Sequence, residues 1–219
     1  MNAMRTRWRE RLGKVRMPGK ELSLQKKIGI TVMFLVVGCL LGVMQKWLDG
    51  VAYNTLPIWM QNLDLANYFG RLSFWILISV VISIYSENPL RASVNTFSFL
   101  ISMLAGYYVY CKFAAGFLPV SYMMIWVLAA LASIPVSFVC WYARGEGAVA
   151  IILSAVILAV MFSQAILVTQ GFHVTHLLDL LTWGLGLVIL YRKPREYMVE
   201  LLLSLGVAVV YQLIFPYFG

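Results

Sequence analysis

Long apolar runs, separated by short polar segments, repeat along most of the chain. Counted against the ~20 residues that a helix needs to cross a bilayer, with about 17 as a minimum, seven runs emerge. They are Ile28–Trp47, Phe69–Tyr85, Ala92–Cys111, Val120–Trp141, Ala148–Gln170, His173–Tyr191 and Tyr197–Tyr217. The second and the sixth reach spanning length only by including interfacial residues. The pattern predicts an all-α, polytopic transmembrane helical bundle of about seven spans.

The composition agrees with a membrane protein rather than a soluble one. Hydrophobic residues make up 62% of the 219 positions and charged residues 12%, against roughly 45–50% and about 25% in soluble domains. The mean hydropathy of +0.84 covers the whole length, so the apolar excess is not one anchor. We expect a basic tail at 1–27 and one transmembrane bundle at 28–219, with no nucleic-acid partner.

Positive charge is concentrated at the start of the chain. Nine of the 17 lysines and arginines lie in the first 27 residues, which predicts a cytoplasmic N-terminus. If seven spans alternate from there, only Lys46, Arg71 and Lys112 fall outside. This bias favours seven spans and an external C-terminus, since removing one span would place the Arg192–Arg195 cluster outside.

The basic tail has a helical pattern of its own. Trp8, Leu12 and Val15 recur at helical spacing among arginines, and Pro18-Gly19 ends the pattern. We expect an amphipathic helix on the anionic inner leaflet of the bilayer. The alternatives are a simple topology determinant and a dock for an acidic cytosolic partner.

Small and polar residues form stripes on two of the predicted spans. In the first span Gly38, Gly42 and Lys46 are four apart and Asp49 follows, which predicts close packing against a neighbour or, alternatively, a substrate-lining face. The third span carries a stripe that should not face lipid, and the seventh carries a similar one. The two stripes comprise Arg91, Asn95, Ser98, Ser102 and Gly106, and Glu200, Ser204, Ala208, Tyr211 and Gln212.

Charged residues in these stripes should be paired, because an unpaired charge inside a membrane is costly. Arg91 and Glu200 lie at the same predicted membrane level. An Arg91–Glu200 pair or an Arg91–Glu87 pair would satisfy both charges.

The external segment 48–68 is the longest connection after the tail. Pro57 can start a short helix there, and charged residues at the edges of the segment would make it a lid over an external site. The alternative is an aromatic belt at the membrane interface. The residues predicted to bind a ligand are Lys46, Asp49, Asp64, Arg71, Asn95, Ser102, Tyr107 and Gln212.

The sequence gives little indication of a metal site or of a catalytic site. His173, His176 and Asp179 are spaced three apart and would bind a metal only with a ligand from elsewhere, so polar capping is the favoured interpretation. The sequence holds no HExxH, GxSxG, P-loop or dinucleotide motif. We therefore predict no cofactor and no catalytic residue.

A proline and several aromatic residues suggest a pocket. Pro135 should kink the fourth span, and kinks near mid-membrane often line cavities. An aromatic-lined pocket would suit a small apolar or ring-containing ligand, although aromatic residues at span ends are equally expected as interfacial anchors. The aromatic residues concerned are Tyr107, Tyr108, Tyr110, Trp126, Trp141 and Trp183.

In size, hydropathy, basic start and the Gly38–Gly42 face, the chain resembles the substrate-binding S-components of energy-coupling-factor transporters. Those proteins typically have six spans and an AxxxA pattern in the first helix, whereas the AxxxA of this chain is Ala155–Ala159 in the fifth run. The resemblance implies a bacterial cytoplasmic membrane and ATPase partner subunits. The chain equally resembles multi-pass bacterial membrane proteins with no known role.

Three functions follow as hypotheses. The first is binding or transport of a small molecule across the membrane, as in a substrate-binding transporter subunit, with an opening toward the outside formed by the first, third and seventh spans under the segment 48–68. The second is a non-transporting membrane subunit that assembles with or regulates another protein through the tail and the Gly38–Gly42 face. The third is a membrane-embedded enzyme, which the absence of catalytic motifs makes the weakest.

Overall fold

The computed structural model describes residues 13–117, 119–169 and 171–215, without the side chain of Tyr122. These residues form an all-α structure, to which one pair of two-residue strands is added. The α-helices and strands are α1 (Leu24–Asp49), α2 (Ile58–Asn62), α3 (Leu65–Tyr68), α4 (Leu72–Tyr85), α5 (Pro89–Tyr110), α6 (Val120–Cys140), α7 (Gly147–Ala165), β1 (Ile166–Leu167), β2 (His173–Val174), α8 (Leu177–Ile189) and α9 (Pro194–Ile214). A π-helical turn continues α5 through Cys111–Ala115, and 3₁₀ turns occupy Tyr53–Thr55 and Trp141–Arg144, the second of which continues α6.

Within the described ranges, five helical segments are long and apolar enough to cross a membrane. They are Leu24–Asp49, Pro89–Ala115, Met123–Arg144, Gly147–Ala165 and Pro194–Ile214. The helices α4 and α8 have 14 and 13 residues, which is ~20 Å of helix against a hydrocarbon core of ~30 Å. They correspond to the two weakest predicted spans. The coarse prediction of an all-α protein with several candidate spans is confirmed, and the count of seven remains a prediction.

Local sequence explains where several helices begin. The side chain of Asn88 accepts a hydrogen bond from the Arg91 amide, and Pro89 occupies the first helical position of α5. Proline suits this position because its missing N–H has no helical partner there. Pro194 starts α9 in the same way. The predicted short helix after Pro57 is α2.

Contacts between chain segments show that successive long helices run in opposite directions. Arg16 donates hydrogen bonds to the carbonyls of Ile84, at the end of α4, and Trp141, just after α6, at 2.8 and 2.5 Å. The ends of α4 and α6 therefore share one side of the bundle, which we call the tail side. On the opposite or far side, Arg71 before α4 contacts Asp179 at the start of α8.

The described part of the tail docks on the bundle. Residues 13–15 are helical, and the Val15 carbonyl accepts a 2.8 Å hydrogen bond from the Glu146 amide. The Arg16 guanidinium lies 4.1 Å from the centre of the Trp141 ring. Burial and the nearby charge of Arg144 lower the pKa of Arg16. The predicted amphipathic helix ends at Pro18-Gly19, and most of it, with Trp8 and Leu12, lies outside the described residues, so it stays a prediction.

The closest helix pair in the bundle is α1 against α5. Cβ atoms added at Gly38 or Gly42 would overlap the carbonyls of Phe99 or Met103, and one added at Gly106 would overlap the Cys39 carbonyl. Glycines from both helices therefore allow their backbones to touch. The small face predicted on the first span packs against a neighbour inside the same chain.

Arg91 does not have the ionic partner that the sequence suggests. Its guanidinium donates to the Lys27 carbonyl and the Thr31 hydroxyl, both at 2.6 Å. Glu87 pairs with Lys27 at 3.3 Å, and Glu200 pairs with Arg192 at 2.6 Å. The predicted Arg91–Glu200 pair is wrong because α5 packs on α1, whereas α9 packs on α7. The predicted Arg91–Glu87 pair is wrong because Lys27 of α1 takes Glu87 instead.

Candidate functional site

A groove of about 650 Å³ runs between α6 and α7, which make few contacts with each other. One face of α4 forms much of its floor, from Leu72 near the far side to Ser83 near the tail side. Trp75, Ile76 and Val80 lie between these two residues at helical spacing. The groove is therefore as long as α4. Its volume falls in the range of ~300–1,000 Å³ typical of small-molecule sites.

The groove is lined almost entirely by apolar surface. The few hydroxyl groups in it are largely satisfied within their own helices: Ser83 donates to the Ser79 carbonyl at 2.6 Å and Ser133 to the Ala130 carbonyl at 2.7 Å. Such groups do not demand a polar ligand. The groove therefore suits a hydrocarbon or another apolar molecule. The residues contributed by α6 and α7 are Trp126, Ala129, Ala130, Ala132, Ser133, Pro135, Val136, Ser137, Val139 and Cys140, and Leu153, Val156, Ile157 and Val160.

The predicted link between Pro135 and a pocket agrees with this groove, but most of the aromatic residues lie elsewhere. Pro135 and Trp126 both line it. Trp141 is buried under Arg16 on the tail side, and Trp183 packs edge-on against Phe162. The walls are thus mainly aliphatic.

A charged network lies at the far side, where α4 and α8 begin. Asp179 is 1% exposed and its Oδ2 lies 3.0 Å from Nε of Arg71. Arg71 also donates from Nη1 to Asp64 at 2.9 Å, and Ser73 donates to the other Asp179 oxygen. The exposed His176 lies 3.5 Å from Asp179. We call Asp64, Arg71, Ser73, His176 and Asp179 the far-side network.

The geometry of the helix ends favours the negative charge of this network. Asp179 lies in the first turn of α8, where the helix dipole stabilises an anion. Asp64 has a left-handed backbone with φ of 52°, which aspartate tolerates better than most residues. It fixes the segment before α4 by accepting a 2.7 Å hydrogen bond from Asn67.

Tyr68 couples this network to the body of the bundle. Its hydroxyl hydrogen-bonds the Thr182 hydroxyl, one turn beyond Asp179 in α8. Burial raises the pKa of Tyr68, so the phenol stays neutral and retains its proton for this bond. The end of the segment 48–68 is therefore anchored to α8, and a lid formed by the rest of it stays a prediction.

The far-side network and the groove contain residues that are adjacent in sequence. Leu72 lines the groove, and its two neighbours in sequence, Arg71 and Ser73, belong to the network. Nη2 of Arg71 is buried and has no hydrogen-bond acceptor among the described residues. Arg71 itself does not line the groove.

The other predicted ligand residues do not join this site. Lys46 pairs with Asp49 at 2.5 Å, and its ammonium lies 5.5 Å from the centre of the Tyr107 ring. These three residues form a separate cluster at the end of α1. Gln212 accepts a hydrogen bond from the Val168 amide at 2.9 Å and donates one to the Ile166 carbonyl at 2.8 Å, so it holds the α7–α8 connection.

Two residues of the third-span stripe lie at contacts between helices. Asn95 accepts a hydrogen bond from Thr31 at 3.0 Å and donates to Ser86 at 3.3 Å. Ser102 donates to the Phe99 carbonyl at 2.9 Å and lies where Gly38 approaches α5. The structure places both residues between α5 and its neighbours, away from the groove.

The histidines are separated in the structure. His173 is exposed and its ring bonds the Gly171 carbonyl at 2.7 Å, whereas His176 joins the far-side network. The guanidinium of Arg71 contacts both Asp64 and Asp179 and so takes the position that a metal ion would need between these two carboxylates. Among the described residues, no group of three or more histidine, cysteine or acidic side chains is arranged to hold a metal.

Replacing Asp179 should destabilise the protein. In Asp179→Ala, Ser73 loses its acceptor and Arg71 retains only Asp64, so we expect the free energy of unfolding to fall by about 3 kcal/mol. Asp179→Asn should cost less because it still accepts hydrogen bonds. Reversible unfolding in mild detergent measures both, with the exposed Glu146→Ala as control. A change within about 0.5 kcal/mol for Asp179→Ala would contradict a stabilising role for the pair.

No family model, no curated protein and no solved structure matches this chain.

Proposed function

We propose that the protein is an integral membrane protein that binds a small apolar or amphipathic molecule in the groove between α6 and α7. The observation that carries the proposal is the groove itself, with its volume of about 650 Å³ and its apolar lining. Since α6 and α7 make few contacts, a ligand would enter sideways from the bilayer. A ligand that is already dissolved in lipid needs no aqueous entrance.

The far-side network gives the ligand an orientation in this proposal. Arg71, whose buried Nη2 has no hydrogen-bond acceptor among the described residues, directly precedes the groove residue Leu72, and His176 is exposed beside Asp179. A polar or anionic head group would therefore lie at the far side and a hydrocarbon part along α4. An amphipathic ligand fits both features.

We further propose that seven helices cross the membrane, with the N-terminus in the cytoplasm of a bacterial cell. The short α4 is compatible with this, because it packs against α5, α6, α7 and α8 and so contacts protein more than lipid. The tail side carries most of the basic residues, which the positive-inside rule places in the cytoplasm. Transport would follow if a ligand that enters from one leaflet of the bilayer is released on the opposite side of the membrane.

The two other hypotheses have less support. An assembly subunit would use the Gly38–Gly42 face, which α5 already covers. An enzyme with a serine nucleophile would need a histidine between serine and aspartate. Here Ser73 donates directly to Asp179, which stabilises the aspartate and does not activate the serine.

The experiment is mass spectrometry of small molecules extracted from the protein after purification in mild detergent. Ala132 is exposed in the groove, and Ala132→Phe should lower the amount of bound apolar molecule at least tenfold. Ala105→Phe makes the same change at an exposed site on α5 outside the groove, and should leave it unchanged. Equal retention in both variants would contradict the proposal. Co-purifying ATPase subunits would support the S-component resemblance.

A further inference from the structure

A second cavity, of about 340 Å³, lies on the tail side between α1, α4 and the segment 19–22. Its walls and its rim differ in chemistry. Ile30 and Phe34 of α1 and Val81 and Ile82 of α4 provide apolar walls. Because Ile30 and Phe34 follow Lys27 by about one and two helical turns, the walls extend from the charged rim into the bundle.

The rim carries three cationic side chains, those of Lys20, Lys27 and Arg91. Lys20 is exposed and Arg91 is half-buried, and hydrogen bonds to the Lys27 carbonyl and Thr31 fix the Arg91 guanidinium at the α1–α5 contact. Part of this positive charge is therefore held in place before any ligand arrives.

One acidic side chain lines the described part of the cavity, and it is already engaged. Glu87 is paired with Lys27 at 3.3 Å and accepts a 3.2 Å hydrogen bond from the Leu22 amide. The lining therefore keeps a net positive charge. Tyr85 also lines the cavity. The Arg144 guanidinium lies 4.4 Å from the centre of the Tyr85 ring, so a further cation is close to the cavity.

We propose that this cavity binds one anionic phospholipid. Its phosphate would contact the cations of the rim and one acyl chain would lie along the walls. Cationic pockets between membrane helices recognise anionic head groups in this way, and each nearby cation contributes ~1 kcal/mol. A free phosphate would leave the apolar walls unfilled, and a zwitterionic lipid would leave the net charge uncompensated.

This site is independent of the groove between α6 and α7. The two cavities share none of their lining residues. The groove has almost no polar surface, whereas the tail-side cavity has a charged rim. Loss of lipid at one site therefore leaves occupancy of the other unchanged.

The test is native mass spectrometry of the full chain in non-ionic detergent, titrated separately with phosphatidylglycerol, phosphatidylcholine and inorganic phosphate. We expect one tightly bound phosphatidylglycerol and at least tenfold weaker binding of phosphatidylcholine. Lys20→Gln should weaken phosphatidylglycerol binding about fivefold, which corresponds to the loss of one cation near the phosphate. Lys20 is exposed, so its replacement should not disturb folding.

The matched control is Lys26→Gln. Lys26 is exposed and close to the cavity in sequence but does not line it, so this variant should bind phosphatidylglycerol like the unmodified chain. Equal binding of the two lipids, or equal effects of Lys20→Gln and Lys26→Gln, would overturn the proposal. Displacement of phosphatidylglycerol by millimolar phosphate would also overturn it, since the site would then recognise a free anion and not a lipid.

Discussion

Replacing Glu200 by alanine should lower the free energy of unfolding by about 3–5 kcal/mol. Glu200 is fully buried, and its Oε2 lies 2.6 Å from Nε of Arg192. Arg192 also donates to the Ser154 hydroxyl at 2.8 Å and to the Ala143 carbonyl. The arginine thus joins α7 to the segment after α6, and without Glu200 its charge is left buried and uncompensated.

Equilibrium unfolding in detergent micelles or bicelles measures this effect. Glu196→Ala is the matched control, because it makes the same change one turn earlier in α9 and should cost less than about 1 kcal/mol. The double variant Arg192→Met/Glu200→Leu should be more stable than Glu200→Ala, since it removes both charges. If Glu200→Ala and Glu196→Ala were equally stable, the buried pair would not be a major contributor to stability.

The second large effect should come from Gly42. A Cβ at this position would overlap the Met103 carbonyl of α5, so Gly42→Ala must push two closely packed helices apart. Overpacking of this kind costs about 1–3 kcal/mol, and we expect a value near the top of that range because the obstacle is backbone.

Gly29 provides a control in the same helix. A Cβ at Gly29 meets nothing within 4 Å, so Gly29→Ala should raise stability by about 0.5–1 kcal/mol through helix propensity alone. The two alanine substitutions should therefore have opposite signs in the same unfolding measurement. A stabilising Gly42→Ala would show that α1 and α5 are not in backbone contact.

Features that depend on local spacing could be predicted from the sequence. The Gly38–Gly42 spacing indicated a close helix contact because residues four apart share one helix face. The short helix after Pro57 could be predicted because it depends on nearby residues. The weakness of the second and sixth spans could be predicted because it depends on the length of the apolar run.

Features that depend on the order of helices around the bundle could not be predicted. Arg91 and Glu200 lie at similar levels, yet α5 packs on α1 and α9 packs on α7, so the two residues are apart. Glu200 pairs instead with Arg192, which lies just before α9 and also binds Ser154 of α7. Asp179 and Arg71 were both candidates, but their pairing required α4 and α8 to be neighbours. Ser73 and Thr182 were missed because single hydroxyl residues in apolar runs carry no spacing signal.

The groove had the weakest signal of all. The groove exists because α6 and α7 lie apart. Since α6 is apolar along most of its surface, hydrophobic periodicity in the sequence does not distinguish a groove wall from a lipid-facing surface. The docking of the tail could not be predicted either, because its alternating arginines give no sign that Arg16 turns inward to bind the carbonyls of Ile84 and Trp141.

The most direct test of a ligand site between α6 and α7 is photo-crosslinking with a fatty acid that carries a diazirine on its chain, followed by peptide mapping. Contact with bulk lipid cannot be saturated, whereas a binding site can. We predict that excess unmodified fatty acid suppresses labelling of Ala132 and Val156 in the groove but not of Val32 and Val36, which are exposed on α1. Equal, unsuppressed labelling of both sets would contradict a binding site in the groove.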